Sequence, residues 1–192
     1  MTKIHLRSDI KVEAIQWMGD DAIIAKAARV STGKDQENHQ KKVGLIRYLA
    51  REGHTSPFEH TALTVRIEAP IFVAREAMRH RTFSFNEISG RYAKLKPEFY
   101  APDEERPLIN TGSGAHPRIE FSTDDGLVDQ VEVEHERTYG QAWYNYVSML
   151  ELGVATEVAR NVLPVGTYTA WYMTGNLHAW FNFLHLRDGS HG

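Results

Sequence analysis

No cysteine occurs anywhere in the 192 residues of this chain. Disulfides, thiolate metal sites and thiol nucleophiles are excluded together, so packing alone must hold whatever fold forms. The length suits one domain with a sizeable core. Apolar residues make up 42% and charged residues 24%, both ordinary for a globular chain. A net charge of −3 and a pI near 6.4 give no whole-molecule field that favours nucleic acid. Any recognition of anions must therefore be local. The opening MTKIHLRSDIKVEAIQWMGD contains no apolar run of signal-peptide length, and no stretch is long enough to span a bilayer. A cytoplasmic protein without a membrane partner is the expectation.

Hydrophobic spacing predicts mixed helices and strands. DDAIIAKAARVS (20–31) reads as a helix capped by Asp20 or Asp21. HQKKVGLIRYLAREG (39–53) places Val43, Ile46, Leu49 and Ala50 at helical spacing and stops at Gly53. TALTVRIEA (61–69) alternates as a half-buried strand. Pro70 is expected to start a helix through PIFVAREAMRHR, in the favoured first-turn position. The stretch 96–124, rich in Pro, Gly, Asp and Ser, reads as a loop. A long helix is predicted from Leu127 to Leu152, ended by Gly153, with Trp143, Tyr146 and Leu150 on its apolar stripe. A short helix around TEVARNVL, a strand VGTYTAWYM (165–173) and a final amphipathic helix NLHAWFNFLHLR (176–187) complete the order. Without regular β-α-β alternation the class is α+β, expected as one domain around a central, mostly antiparallel sheet.

The densest chemistry lies in RHRTFSFNEISGRY (79–92). Glu76, Arg79 and His80 would share one helical face, opposite Ile71, Ala74, Ala77 and Met78. Ser89-Gly90-Arg91 offers a hydroxyl, closely approachable backbone N–H groups and a guanidinium, a cradle suited to phosphate or carboxylate. Consecutive helical residues point about 100° apart. Arg79, His80 and Arg81 therefore face one pocket only if the helix breaks, or else they serve different subunits. GHTSPFEH (53–60) carries His54, Ser56, Glu59 and His60, compatible with a polar loop, a metal site or a cofactor-contacting loop. The spacing is not a helical zinc pattern, so no metal is assigned. In the last helix His178, Asn182 and His185 form a polar stripe opposite Leu177, Phe181 and Leu184. Imidazole and amide groups of that kind read heterocycles well. TGSG (111–114) is not a P-loop, and neither G-x-G-x-x-G nor G-x-S-x-G occurs.

Arg79-His80-Arg81 followed by seven residues and Ser89 resembles the signature of the flavin-dependent thymidylate synthases. GHTSPFEH, EVARNVLP (157–164) and NLHAWFNFLHLR resemble that family's other blocks, in the same order, so the likeness runs from about Ser31 to His191. The family converts dUMP to dTMP with methylenetetrahydrofolate as carbon donor and NADPH-reduced FAD as hydride source. It needs no cysteine nucleophile. The resemblance implies that Ser31, His54, Ser56, Glu59, Arg79, His80, Arg81, Glu87, Asn176, His178 and Asn182 contact FAD. It assigns dUMP to Glu76, Arg79, Glu87, Ser89, Gly90, Arg91, Arg160 and Arg187. Arg187 would face the uracil and favour its N3 anion, while Ser89 would position rather than attack. His178 stands where some members carry Arg, and Glu76 where some carry Gln. The family assembles as homotetramers whose active sites are shared between chains. Its members usually run on into Ser-His-Ala-Gln and a further helix, whereas this chain ends at Ser190-His191-Gly192. The rival reading is a non-catalytic nucleotide- or RNA-binding homologue that stacks bases on Phe83, Phe85 and Tyr92.

Overall fold

A computed structural model describes residues 3–30, 33, 39–114, 116–124 and 126–187. In chain order the elements are β1 (His5–Arg7), β2 (Lys11–Met18), α1 (Asp21–Arg29), α2 (His39–Arg51), β3 (Ala62–Pro70), α3 (Ile71–Ala77) and β4 (Ser84–Glu87). They continue with β5 (Glu98–Tyr100), β6 (Ile109–Asn110), β7 (Ile119–Glu120), α4 (Leu127–Glu151), α5 (Thr156–Ala159), β8 (Tyr168–Gly175) and α6 (Leu177–His185). The class is α+β, as expected. One sheet has the order β2-β3-β8-β4, β6 pairs antiparallel with β7, and β1 pairs parallel with β5. The chain forms two compact units, Met1–Lys11 with Glu68–Ala77 and Glu87–Ala170, and Val12–Ile67 with Met78–Asn86 and Trp171–Gly192.

The first unit is built on the aromatic face of α4. Phe99 is fully buried and stacks on Tyr139 with ring centroids 5.0 Å apart, while Trp143 meets it edge-on. Tyr146 and Ala159 close the cluster, with Ile4, Leu6 and Leu95 packed against it. Burying such rings contributes about 1.5–3 kcal/mol each relative to exposure. The predicted stripe holds at Trp143 and Tyr146; Tyr139, one turn earlier, belongs to it too. Gly166 is required here, because a Cβ would lie 2.5 Å from the Tyr139 hydroxyl.

Arg7 is a second anchor of this unit. Its side chain is 10% exposed and meets three carboxylates: Asp9 through two nitrogens, Glu68 at 2.7 Å and Glu98 at 2.9 Å. Its guanidinium also lies 4.3 Å from the Tyr168 ring centroid, and the Tyr168 hydroxyl donates to the carbonyls of Arg7 and Asp9. The bonded guanidinium holds the Asp9 carboxyl below its ordinary range. Burial pushes the Tyr168 phenol up to about 12, against the opposing pull of Arg7.

The second unit has two packed clusters. Ile24 on α1, Leu49 on α2 and Phe58 in the 3-10 turn Ser56–His60 bury one another. Asp20 caps α1 by accepting from the backbone N–H of Ala22 and Ile23, and Gly53 leaves α2 at φ +69°, in the left-handed region. Phe83, Trp180 and Phe183 form the other cluster, with Phe83 and Trp180 centroids 4.7 Å apart. Gly175 lets Phe83 in, since a Cβ there would sit 2.5 Å from its ring. Thr61 ties the 3-10 turn to α6, donating to Phe58 O and accepting from Leu177 N.

Four expectations need correction. Pro70 ends β3 rather than starting a helix, and α3 stops at Ala77 instead of running through Arg81. Past Ala77 the chain turns so that Phe83 enters its aromatic cluster and His80 meets Arg187. Tertiary contacts there outweigh a weak helical preference. The 96–124 stretch is not wholly loop, since β5, β6 and β7 lie within it. β1 and β2 have no counterpart in the sequence reading. In α6, Phe181 and Leu184 are 47% and 57% exposed; Ala179 is the buried residue.

Candidate active site

In the first unit, the residues after β4 form a tight turn. Tyr92 N and Ala93 N both donate to Ser89 O at 3.1 Å, and Arg91 N donates to Ser89 Oγ at 3.3 Å. The serine oxygen is thus an acceptor within its own turn, and its O–H remains a donor. Gly90 is buried, and a Cβ on it would lie 3.2 Å from Arg160 Cδ and 3.3 Å from Leu95 Cδ1. The glycine therefore lets the Arg160 side chain cross its backbone. Ser89, Gly90, Arg91 and Arg160 are thus brought together. Such a set provides backbone N–H, hydroxyl and two forked cations, the complement of a phosphate monoester. Glu87 precedes them at the end of β4 and accepts from the Thr169 hydroxyl at 2.7 Å. Glu76 lies exposed near the end of α3.

In the second unit, His80 and Arg187 meet. Arg187 Nε donates to His80 Nε2 at 3.3 Å, and the imidazole packs edge-on against Phe183 at 4.8 Å. Burial, with the repulsion of the Arg187 cation, pulls the His80 pKa below its ordinary value. The neutral ring is the form that can accept this bond. Arg79 and Arg81, on either side, are exposed. The break in α3 releases all three from a common helical face, the first of the two alternatives raised by the sequence.

The remaining candidates lie on α6 and the 3-10 turn. Asn176 caps α6 by accepting from Ala179 N at 2.8 Å, which leaves its amide N–H groups to donate. Asn182 Nδ2 and His178 Nε2 are paired at 2.8 Å, one turn apart. His54, Ser56 and Glu59 are exposed, and Phe58 between them meets Phe181 of α6 edge-on at 5.8 Å. The GHTSPFEH block and the last helix are thus neighbours. Ser31 lies outside the described residues.

A flavin requires donors and acceptors along a heterocycle edge, an apolar surface under the ring system, and cations for its diphosphate. The second unit supplies the first through His54, His80, His178 and the two asparagines, the second through exposed Phe181 and Leu184, and the third through Arg79 and Arg81. The residue chemistry fits. By contrast, Phe83 is 8% exposed inside its aromatic cluster, so it offers no face for stacking a base.

Sequence reasoning missed Thr156, Glu157 and Thr169. Thr156 Oγ1 donates to Arg91 O at 2.6 Å and Glu157 accepts from Arg91 Nε at 3.0 Å. Each contact joins residues far apart in sequence; the EVARNVLP block, which begins at Glu157, is the one signal that could have drawn attention to Thr156 and Glu157.

The family model described as "Thymidylate synthase complementing protein" matches residues 13–192. The flavin-dependent thymidylate synthase of Streptomyces coelicolor is 46% identical over 96% of this chain and 78% of its own length. The protein of the same name from Thermosipho africanus is 44% identical over 92% and 76%. Among solved structures, a UMP/dUMP methylase, PolB, from Streptomyces cacaoi bound with 5-Br UMP superposes with a TM-score of 0.86 at 44% identity. That match covers 95% of this chain and 78% of the methylase.

Proposed function

The chain belongs to the flavin-dependent thymidylate synthase family, and from that premise we propose that it methylates dUMP to dTMP. Methylenetetrahydrofolate donates the carbon and NADPH is the reductant. FAD, when bound and reduced, supplies the hydride. The observation that carries this reading is the junction of Ser89-Gly90-Arg91 with Arg160 across a glycine where a Cβ would crowd the Arg160 and Leu95 side chains.

Arg91 and Arg160 hold the nucleotide phosphate, whose charge near neutrality is about −1.5 to −2. Gly90 brings backbone N–H groups against its oxygens, and Ser89 donates its hydroxyl as a positioning group. Glu76, Arg79 and Glu87 complete the nucleotide contacts. Arg187 faces the uracil and stabilises the N3 anion, which makes the ring carbon a better nucleophile. A guanidinium does not act as a base at neutral pH, so its part is electrostatic. His80 holds that guanidinium through Nε. These 192 residues contain no cysteine, so none of them could activate the ring as a thiolate.

Ser31, His54, Ser56, Glu59, Arg79, His80, Arg81, Glu87, Asn176, His178 and Asn182 hold FAD. The whole chain acts as one domain of a cytoplasmic homotetramer whose sites draw on more than one subunit. Exposed Val12, Trp17 and Met18 on the edge strand β2, at 64%, 73% and 60%, support an assembly that covers them. Among the described residues no helix is long and apolar enough to cross a membrane.

Titrating the FAD-loaded protein with dUMP while recording the flavin absorbance tests the reading. A saturable spectral change is expected; protein that takes up no FAD contradicts it.

A further inference from the structure

We propose that Thr156 and Glu157, in the first turn of α5, are positioning residues that set Arg91 for the nucleotide phosphate. The inference rests on the assignment of Arg91 to that phosphate and goes beyond it, by naming what holds the arginine in place.

Two bonds secure Arg91 at opposite ends. Thr156 Oγ1 donates to its backbone carbonyl at 2.6 Å, and Glu157 Oε2 accepts from its side-chain Nε at 3.0 Å. The Ser89 turn adds a third restraint through Arg91 N. Among the described residues, Glu157 is the only hydrogen-bond acceptor of the guanidinium, which otherwise lies 5.4 Å from the Tyr92 ring centroid. Among the described residues both terminal Nη groups are therefore without a protein acceptor. They form the fork that matches two phosphate oxygens.

Side-chain exposure of 53% for Arg91 and 51% for Glu157 makes this a solvated pair, which adds little to stability. Its value is in pre-organisation. An arginine that is already oriented loses less rotamer freedom when the phosphate arrives. A carboxylate beside an anion site also has an opposing effect, since it repels the phosphate. The two effects predict opposite signs. If orientation dominates, removing the Glu157 charge weakens dUMP binding; if repulsion dominates, it tightens it. We take orientation to dominate; Thr156 restrains the same residue without carrying charge, so its variant reads orientation with no repulsion mixed in. The next residues of the segment also lead into Arg160, so one short stretch both supplies a phosphate ligand and orients another.

The test uses full-length FAD-loaded enzyme and variants E157Q, T156V, T156S and R91A, with KM for dUMP and kcat measured separately. E157Q and T156V are expected to raise KM roughly two- to fivefold, with kcat at saturating dUMP and FAD content held. T156S should restore the wild-type KM. In the R91A background E157Q should have no further effect. An unchanged or lowered KM in E157Q, with R91A raising it, overturns the clamp alone. An unchanged KM in R91A overturns the assignment of Arg91 to the phosphate, and the clamp with it.

Discussion

Thr169 Oγ1 donates to a carboxylate oxygen of Glu87 at 2.7 Å, joining a side chain that is 7% exposed on β8 to the end of β4. The hydroxyl has one role here, to fix the carboxylate that precedes the Ser89 turn. Replacing Thr169 by Val keeps the shape and removes the donor, a loss of roughly 0.5–1.5 kcal/mol. T169V should fold with a slightly lower melting temperature and bind FAD and dUMP more weakly, and T169S should recover both. Equilibrium dialysis of FAD beside thermal melts separates binding from stability.

Gly90 makes a steric prediction. A Cβ there meets Arg160 and Leu95 at 3.2 and 3.3 Å, tight enough that one neighbour must give. Arg160, the longer and more flexible of the two, is the one to move. G90A should therefore raise KM for dUMP by about tenfold, as expected for roughly 1.4 kcal/mol of lost phosphate contact, while FAD content stays near wild type. Steady-state kinetics with a flavin count per subunit checks it.

The His80–Arg187 bond carries a pH dependence. His80 has a folded-state pKa below its ordinary 6.5 because burial disfavours the cation and Arg187 repels it. A lowered histidine pKa means that the unfolded chain binds the proton more readily. The contribution of neutral His80 is fully present above 6.5 and is lost as pH falls from there through the lowered value. Over the same window the protonated ring ceases to accept from Arg187. An acid limb in kcat is expected, and H80Q, which keeps an acceptor and removes the titration, should flatten it. An identical limb in H80Q assigns the titration to another group.

Arg7 is the charged residue that joins the most partners in the first unit, and its loss should cost stability. It is 10% exposed and surrounded by Asp9, Glu68 and Glu98. R7M would leave three partly exposed carboxylates without their common cation, a loss of about 1.5–3 kcal/mol for bonds to charged groups. R7K keeps the charge but has three N–H donors on one nitrogen against the four bonds that the Arg7 fork makes, so it should fall between. Urea unfolding followed by circular dichroism gives the order directly.

Much of the fold is legible in local signals. α1 and α2 begin or end where Asp20 and Gly53 say they should, and Gly153, at φ +81°, closes the region after α4. β8 is readable because its run of apolar and threonine residues is buried nearly throughout. β1 is not, since three residues pair with β5 across some ninety positions and no local pattern marks the match. β2 is exposed along its whole length, so it lacks the half-buried alternation that betrays a strand. The end of α3 is set by where Phe83 and His80 must go, which is information held in α6 and its C-terminal flank. The site divides in the same way. Ser89-Gly90-Arg91 announces itself as a cradle, and the order of four blocks identifies its family. Thr156, Glu157 and Thr169 act through contacts 65, 66 and 82 residues away, and no window of sequence contains both partners.

The edge strand β2 bears on assembly. Trp17 is 73% exposed on it, a large apolar side chain suited to an interface core. If β2 lies in the proposed tetramer interface, W17E should shift the protein toward smaller species in light scattering after size exclusion, and activity should fall with dilution. A W17E variant that remains tetrameric removes β2 from the interface.

The most direct measurement is the formation of dTMP from dUMP by the FAD-loaded enzyme supplied with NADPH and methylenetetrahydrofolate. One dTMP should appear per NADPH consumed, none should form when any one of these is withheld, and R91A should require more dUMP for the same rate. NADPH oxidation that proceeds without dTMP at any dUMP concentration contradicts the assignment.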